Sequence, residues 1–142
     1  IFQSEGGPVP DGARIRSAVL SIYKYSAYNM LYGLHRVLQD WSEATASWNQ
    51  RSTGLAWSSA GANGAGSDYA AVPDATAETG WDPAWIEFDL TTALAGMSNE
   101  TARANYGWRL LATKSASNLK RLYASDFEAD PSLRPKLSIT YE

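Results

Sequence analysis

The sequence predicts an all-β domain of antiparallel sheets, each with one dry face and one wet face. Three observations predict it. Short segments recur in which apolar and polar residues alternate with a period of two. Helical periodicity is weak throughout. Turn-forming residues punctuate the chain at Gly6-Gly7-Pro8, Pro10-Asp11-Gly12, Asp82-Pro83 and Asp130-Pro131. One-sided alternation points to antiparallel pairing, because parallel sheets are covered on both faces and read as continuous apolar runs.

The first strand is expected over Arg14–Tyr25, with Ala18, Leu20 and Ile22 on one face and Val19, Ser21 and Tyr23 on the other. Leu31–Leu38 is the second. Ala84–Leu90 is the third, with Ile86, Phe88 and Leu90 opposed to Trp85, Glu87 and Asp89. Tyr106–Ala112 groups Tyr106, Trp108, Leu110 and Ala112, and Leu119–Ser125 is a weaker candidate. Lys136–Tyr141 closes the series, Leu137, Ile139 and Tyr141 alternating with Lys136, Ser138 and Thr140. By this alternation Phe88, Trp108 and Tyr141 belong to the core. Two short helical stretches are expected. One is a turn or two after the third strand, where Leu90, Leu94 and Met97 share a face. The other lies over Asp40–Ser47, with Ser42 as a candidate N-cap.

The stretch Ser52–Gly80 differs. Of its 29 residues, 8 are Ala, 5 Gly and 4 Ser. So long a structureless stretch is uncommon inside a compact domain. It reads as a surface loop anchored by Trp57, Tyr69 and Val72, as a cover over a sheet face, or as a lid that folds on a partner.

Composition narrows the functional classes. The 142 residues fit one domain, 1–142, and 44% hydrophobic with 19% charged residues suits a packed core. A net charge of -3 argues against a generic nucleic-acid binder. With no cysteine, disulfides, thiolate catalysis and cysteine-ligated metals are excluded, and a single histidine, His35, excludes a His-rich metal site. No apolar run approaches the roughly 18–20 residues of a membrane-spanning helix, so no membrane insertion is expected.

Five motifs, in order, carry a resemblance. They are Val9-Pro10-Asp11-Gly12-Ala13-Arg14-Ile15-Arg16-Ser17-Ala18-Val19-Leu20-Ser21-Ile22-Tyr23; Asp40-Trp41-Ser42-Glu43 with Ala46-Ser47-Trp48-Asn49; Trp85-Ile86-Glu87-Phe88-Asp89-Leu90-Thr91; Asn105-Tyr106-Gly107-Trp108-Arg109-Leu110; and Ala124-Ser125-Asp126-Phe127-Glu128 with Arg134-Pro135-Lys136-Leu137-Ser138-Ile139-Thr140-Tyr141. Together they resemble the DNRLRE-type domain, related to alginate-binding modules. The resemblance implies a jelly-roll β-sandwich in an extracellular or cell-surface protein, and makes Trp41 and Trp48 core residues or hairpin anchors. The acidic phrase Ser125-Asp126-Phe127-Glu128 departs from the family's pattern. In the family a further stretch precedes the opening motif, and Ile1-Phe2-Gln3 matches only its end. The expectation is that first strands lie outside this sequence, are donated by a neighbouring chain, or are lacking in a shortened variant.

Candidate chemistry follows from residue types. The chain has 6 Trp and 8 Tyr, and aromatic rings pack on the apolar faces of sugars. Tyr23 and Tyr25 share a strand face, and Trp85 points away from Phe88. Among the cations Arg16, Lys24, Arg36, Arg109 and Lys114, those lining one face with the tyrosines would pair with the carboxylates of an acidic polysaccharide. The expected ligand-binding set is Tyr23, Tyr25, Arg36, Trp85, Arg109 and Lys114. Each cation is equally well read as an ordinary surface charge. No catalytic residue and no cofactor is expected. Asp40 with Glu43, Glu87 with Asp89, and Asp126 with Glu128 are carboxylate pairs, but no spacing sets a base beside a nucleophile, and His35 lies mid-strand. A structural calcium would draw on Asp74, Glu78 and Asp82, or on Glu128 and Asp130. Asn99-Glu100-Thr101 is an N-glycosylation sequon. The primary reading is a non-catalytic extracellular polysaccharide-binding module. The alternative is a structural or assembly domain, forming homo-oligomers or completed by a donated strand.

Overall fold

A computed structural model describes residues 1–99, 105–112 and 119–142. Eight strands and one helix are defined among them: β1 Ile15–Lys24, β2 Leu31–Arg36, β3 Gln50–Ser52, β4 Leu55–Ala56, β5 Ala75–Glu78, β6 Ala84–Asp89, α1 Thr91–Asn99, β7 Trp108–Ala112 and β8 Lys136–Tyr141. They form a three-stranded sheet in the order β6-β1-β8, a second in the order β5-β2-β7, and the small hairpin β3-β4. All ladders are antiparallel.

The alternation read from the sequence sets which faces meet. Ala18, Leu20 and Ile22 of β1, Ile86 and Phe88 of β6, and Leu137 and Ile139 of β8 point inward from the first sheet. Tyr32 and Leu34 of β2, Ala75 and Ala77 of β5, and Trp108 and Leu110 of β7 meet them from the second. The result is an all-β sandwich with one shared core. Three strands per sheet define the sandwich and leave the paired Greek keys of a jelly roll undefined. A bulge between Ile15 and Ser17 adds one residue to β1. It shifts the side-chain phase, so Ile15 is buried with Ala18 although they are three apart. β1 is central, flanked by β6 on one side and β8 on the other.

One end of the sandwich is closed by α1, longer than the turn or two expected. Leu90, Leu94 and Met97 are buried, as the helical spacing implies. Asp89 accepts a hydrogen bond from the Thr91 amide at 2.9 Å and so starts the helix; these bonds to Thr91 hold its carboxyl below the usual range. The Ala18 amide donates to Thr91 Oγ1 and the Ser98 hydroxyl donates to the Ala13 carbonyl, tying both helix ends to the segment around β1. At the start of the chain, Phe2 and Val9 form a parallel bridge and are both buried. No helix among the described residues is long and apolar enough to cross a membrane.

Several expectations change. Tyr141 is 42% exposed, since β8 runs past the core at its last residues. Trp41 and Trp48 are 45% and 68% exposed and are not core residues. Trp48 instead lies against Gly61, where a Cβ would come within 2.5 Å of its ring. Trp41 donates its indole N–H to the Tyr106 carbonyl. The Leu119–Ser125 candidate is reduced to a bridge between Leu122 and Lys24.

Candidate functional site: an aromatic face on the β6-β1-β8 sheet

The outward residues of the first sheet gather into an aromatic cluster. Tyr23 on β1 is the cross-strand partner of Trp85 on β6, and their rings meet edge to face at 5.3 Å. Chain 121–127 follows the end of β1, with the Tyr123 amide donating to the Tyr23 carbonyl and the Tyr25 amide to the Arg121 carbonyl. Those bonds set Tyr123 beside both tyrosines, stacked at 5.9 Å from Tyr23 and 4.4 Å from Tyr25. Phe127 stacks on Tyr123 at 3.8 Å. Arg134 Nε donates to the Phe127 carbonyl and pins that residue. From β8, the Lys136 ammonium lies 4.4 Å from the Trp85 ring centroid. Each aromatic pair contributes about 0.5–1.5 kcal/mol beyond area burial, so the rings are held in place before any ligand arrives. Tyr25 is 39% exposed and closes one end of the column. Glu87, two residues from Trp85, is exposed on this sheet.

Of the six residues singled out from the sequence, Tyr23, Tyr25 and Trp85 come together here. Arg36 and Arg109 do not, because β2 and β7 belong to the other sheet. Arg36 makes a two-pronged ion pair with Asp74, through Nε at 3.1 Å and Nη2 at 2.9 Å. Asp74 also accepts the Trp108 indole N–H at 2.8 Å. Arg109 lies 4.7 Å from the Tyr69 ring centroid and donates to the Ala62 carbonyl and Asn63 Oδ1. Both arginines therefore hold the long connection. Lys114 lies outside the described residues, as do the Asn99 side chain, Glu100 and Thr101. Tyr123, Phe127 and Lys136 complete the cluster. Lys136 was legible as an outward β8 residue, whereas Tyr123 and Phe127 sit where alternation is weak.

Several of the other candidates have structural partners. Arg16 pairs with Glu142, Asp40 with Arg51, and Glu78 accepts from Asn29. Asp130 accepts from the Ser132 amide and hydroxyl at the start of a short 3-10 turn. Among the described residues no three His, Asp or Glu side chains gather into a group able to hold a metal ion. His35 is buried, its Nδ1–H donating to the Ala70 carbonyl at 2.8 Å and its ring edge-on to Tyr69.

The Ala/Gly/Ser-rich stretch covers the outer side of the second sheet. Its end is strand β5, and its middle is organised by Asp68. That carboxylate is fully buried. It accepts from the amides of Ser58 (2.7 Å), Ser59 (3.0 Å) and Gly64 (2.9 Å), and from Gln39 Nε2 (2.9 Å). Burial alone raises its pKa, but the three backbone donors outweigh that and hold it below the usual carboxylate range. Beyond Asp68, the Ala70 amide donates to the Arg36 carbonyl and the Asp74 amide to the Leu34 carbonyl. Gly33 leaves room for this cover, since a Cβ there would lie 2.8 Å from His35 Nε2 and 3.2 Å from Pro73 Cβ.

Comparison with protein-family models, with curated proteins and with solved structures finds no match to the chain. Four of the five motifs that carry the sequence resemblance overlap strands of the sandwich: β1, β6, β7 and β8.

Proposed function

We propose that the chain is a non-catalytic module that binds an acidic polysaccharide on the outer face of the β6-β1-β8 sheet. The observation that carries this reading is the ordered ring array of Trp85, Tyr23, Tyr123, Tyr25 and Phe127 with the Lys136 ammonium set against it. Aromatic rings accept the apolar C–H faces of pyranoses, and Lys136 supplies a charge for a sugar carboxylate. Because the whole chain carries -3, long-range attraction to a polyanion is absent and binding depends on local pairing. The resemblance to the DNRLRE-type domain agrees with this reading, and with an extracellular or cell-surface setting and a jelly-roll topology. Catalysis is not part of the proposal, since Asp89 is committed to starting α1 and Asp40 to Arg51.

Affinity electrophoresis through gels containing a polyuronate tests it. The wild-type chain is expected to be retarded, less so as salt is raised, and Tyr25→Ala with Lys136→Ala is expected to restore free migration. Wild-type migration unchanged by any polysaccharide would refute the reading.

A second reading, assembly through strand donation, is favoured by one observation: among the described residues β6 and β8 are the edges of one sheet and β5 and β7 the edges of the other. β1 and β2 are paired on both sides, so a donated strand would add outside one of those four edges.

A further inference from the structure

Two exposed aromatics stand apart from the face described above. Tyr28, on the β1–β2 connection, is 47% exposed, and Trp81, on the β5–β6 connection, is 67% exposed. Their rings are 6.5 Å apart and inclined at 62°. That geometry forms an open notch, and rings so exposed contribute little to the core. The backbone beneath them is nonetheless tightly built. The Tyr28 amide donates to the Trp81 carbonyl at 3.1 Å, and the Gly80 amide to Asn29 Oδ1 at 3.0 Å. Lys24, the last residue of β1, is fully buried. Its ammonium donates to the Tyr28 carbonyl at 3.1 Å and the Gly80 carbonyl at 2.6 Å, clamping the two connections together. Tyr28 itself has a left-handed backbone, φ 76°, which a β-carbon-bearing residue adopts only under constraint. A buried ammonium and a strained tyrosine are costly ways to hold two exposed rings, and such costs concentrate at ligand sites. The Lys120 ammonium lies 5.3 Å from the Tyr28 ring centroid and brings positive charge to the notch.

We propose that Tyr28 and Trp81 form a second sugar-stacking subsite at the end of the sandwich. It takes a further pyranose of the same acidic chain that lies on the Tyr25 face. This deepens the polysaccharide-binding reading and rests on it. The two subsites are linked through one connection, which carries Tyr25 at its start and Tyr28 three residues on. The ligand is then an extended polymer, and affinity grows with oligomer length until both subsites are filled.

Titration calorimetry with a short and a long oligomer of one uronate polymer tests this, alongside ¹H–¹⁵N spectra of the tryptophan indoles. Trp81→Ala and Tyr28→Gly are expected to weaken the long oligomer by about tenfold or more and leave the short one unchanged. The Trp81 indole signal is expected to move only with the long oligomer. Both side chains are exposed and Gly relieves the left-handed backbone at position 28, so melting temperatures should change by no more than about 2 °C. Unchanged affinity for the long oligomer with an unmoved Trp81 signal would overturn the second subsite alone. Binding that survives Tyr25→Ala with Lys136→Ala but fails in Trp81→Ala would overturn the face and keep the notch. No binding of either oligomer by the wild-type chain would overturn both.

Discussion

Replacing Asp68 with alanine should release the cover from the second sheet while leaving the sandwich folded. The carboxylate is buried and satisfies three backbone amides and the Gln39 side chain. Removing it leaves the part-buried N–H donors of Ser58, Ser59 and Gly64 without their charged acceptor. A hydrogen bond to a charged group is worth about 1.5–3 kcal/mol, and an unsatisfied buried donor costs about 1–3 kcal/mol. Local relaxation and water entry recover part of the sum, so the expected loss is about 3 kcal/mol, or roughly 10 °C in melting temperature. Asp68→Asn, which keeps the shape but loses the charge, should lie between the two. The folded-state pKa of Asp68 lies below its ordinary value. Its contribution is therefore fully present above the unfolded pKa of about 3.9 and is lost as pH falls through the lower folded value. Urea titrations from neutral pH down to acid should show the wild-type and Asp68→Ala stabilities converging. Hydrogen exchange gives the spatial readout, with the Ser58, Ser59 and Gly64 amides losing protection while β1 amides keep theirs. A loss below about 0.5 kcal/mol, or protection of those three amides unchanged, would refute the reasoning.

Other substitutions probe other parts of the account. Phe88→Ala removes a fully buried ring from the centre of the core and should cost about 3–5 kcal/mol in denaturant titrations. Gly33→Ala sets a Cβ 2.8 Å from His35 Nε2; it should cost about 1–3 kcal/mol and shift the His35 ring resonances. A double-mutant cycle on Arg36 and Asp74, whose side chains are each 15% exposed, should return a coupling of about 1–3 kcal/mol. A coupling near zero would mean that the ion pair does not anchor the cover.

Alternation makes β6 and β8 legible because each buries one face only. The sequence alone assigns Ile86, Phe88, Leu137 and Ile139 inward. β5 was not legible. Its inward residues are Ala75 and Ala77, whose small side chains give almost no contrast with Thr76 and Glu78, and it is embedded in a stretch of similar composition. The β3-β4 hairpin was missed because its strands are three and two residues long, too short for a period to register. The exposed Trp41 and Trp48 show the limit of residue type as a guide: a tryptophan can be held by an indole hydrogen bond or by a glycine's open face rather than by burial. At the candidate site, Tyr23 and Trp85 were legible because outward positions on neighbouring strands meet across a ladder. Arg36 and Arg109 were misplaced because strand alternation tells which face a residue takes within its sheet, and not which of two sheets the strand joins. Tyr123 and Phe127 depend on an irregular segment held beside β1 by hydrogen bonds and ring stacking, and Lys24 is a buried cation that strand patterning does not announce.

The most direct measurement of the central claim is a ¹H–¹⁵N titration of the wild-type chain with a polyuronate oligomer. The account predicts that the Trp85 indole and the amides of Tyr23, Tyr25, Tyr123 and Lys136 move together and saturate with one affinity. Shifts confined to the second sheet around Arg109 and Asn63, or a spectrum that does not change, would contradict it.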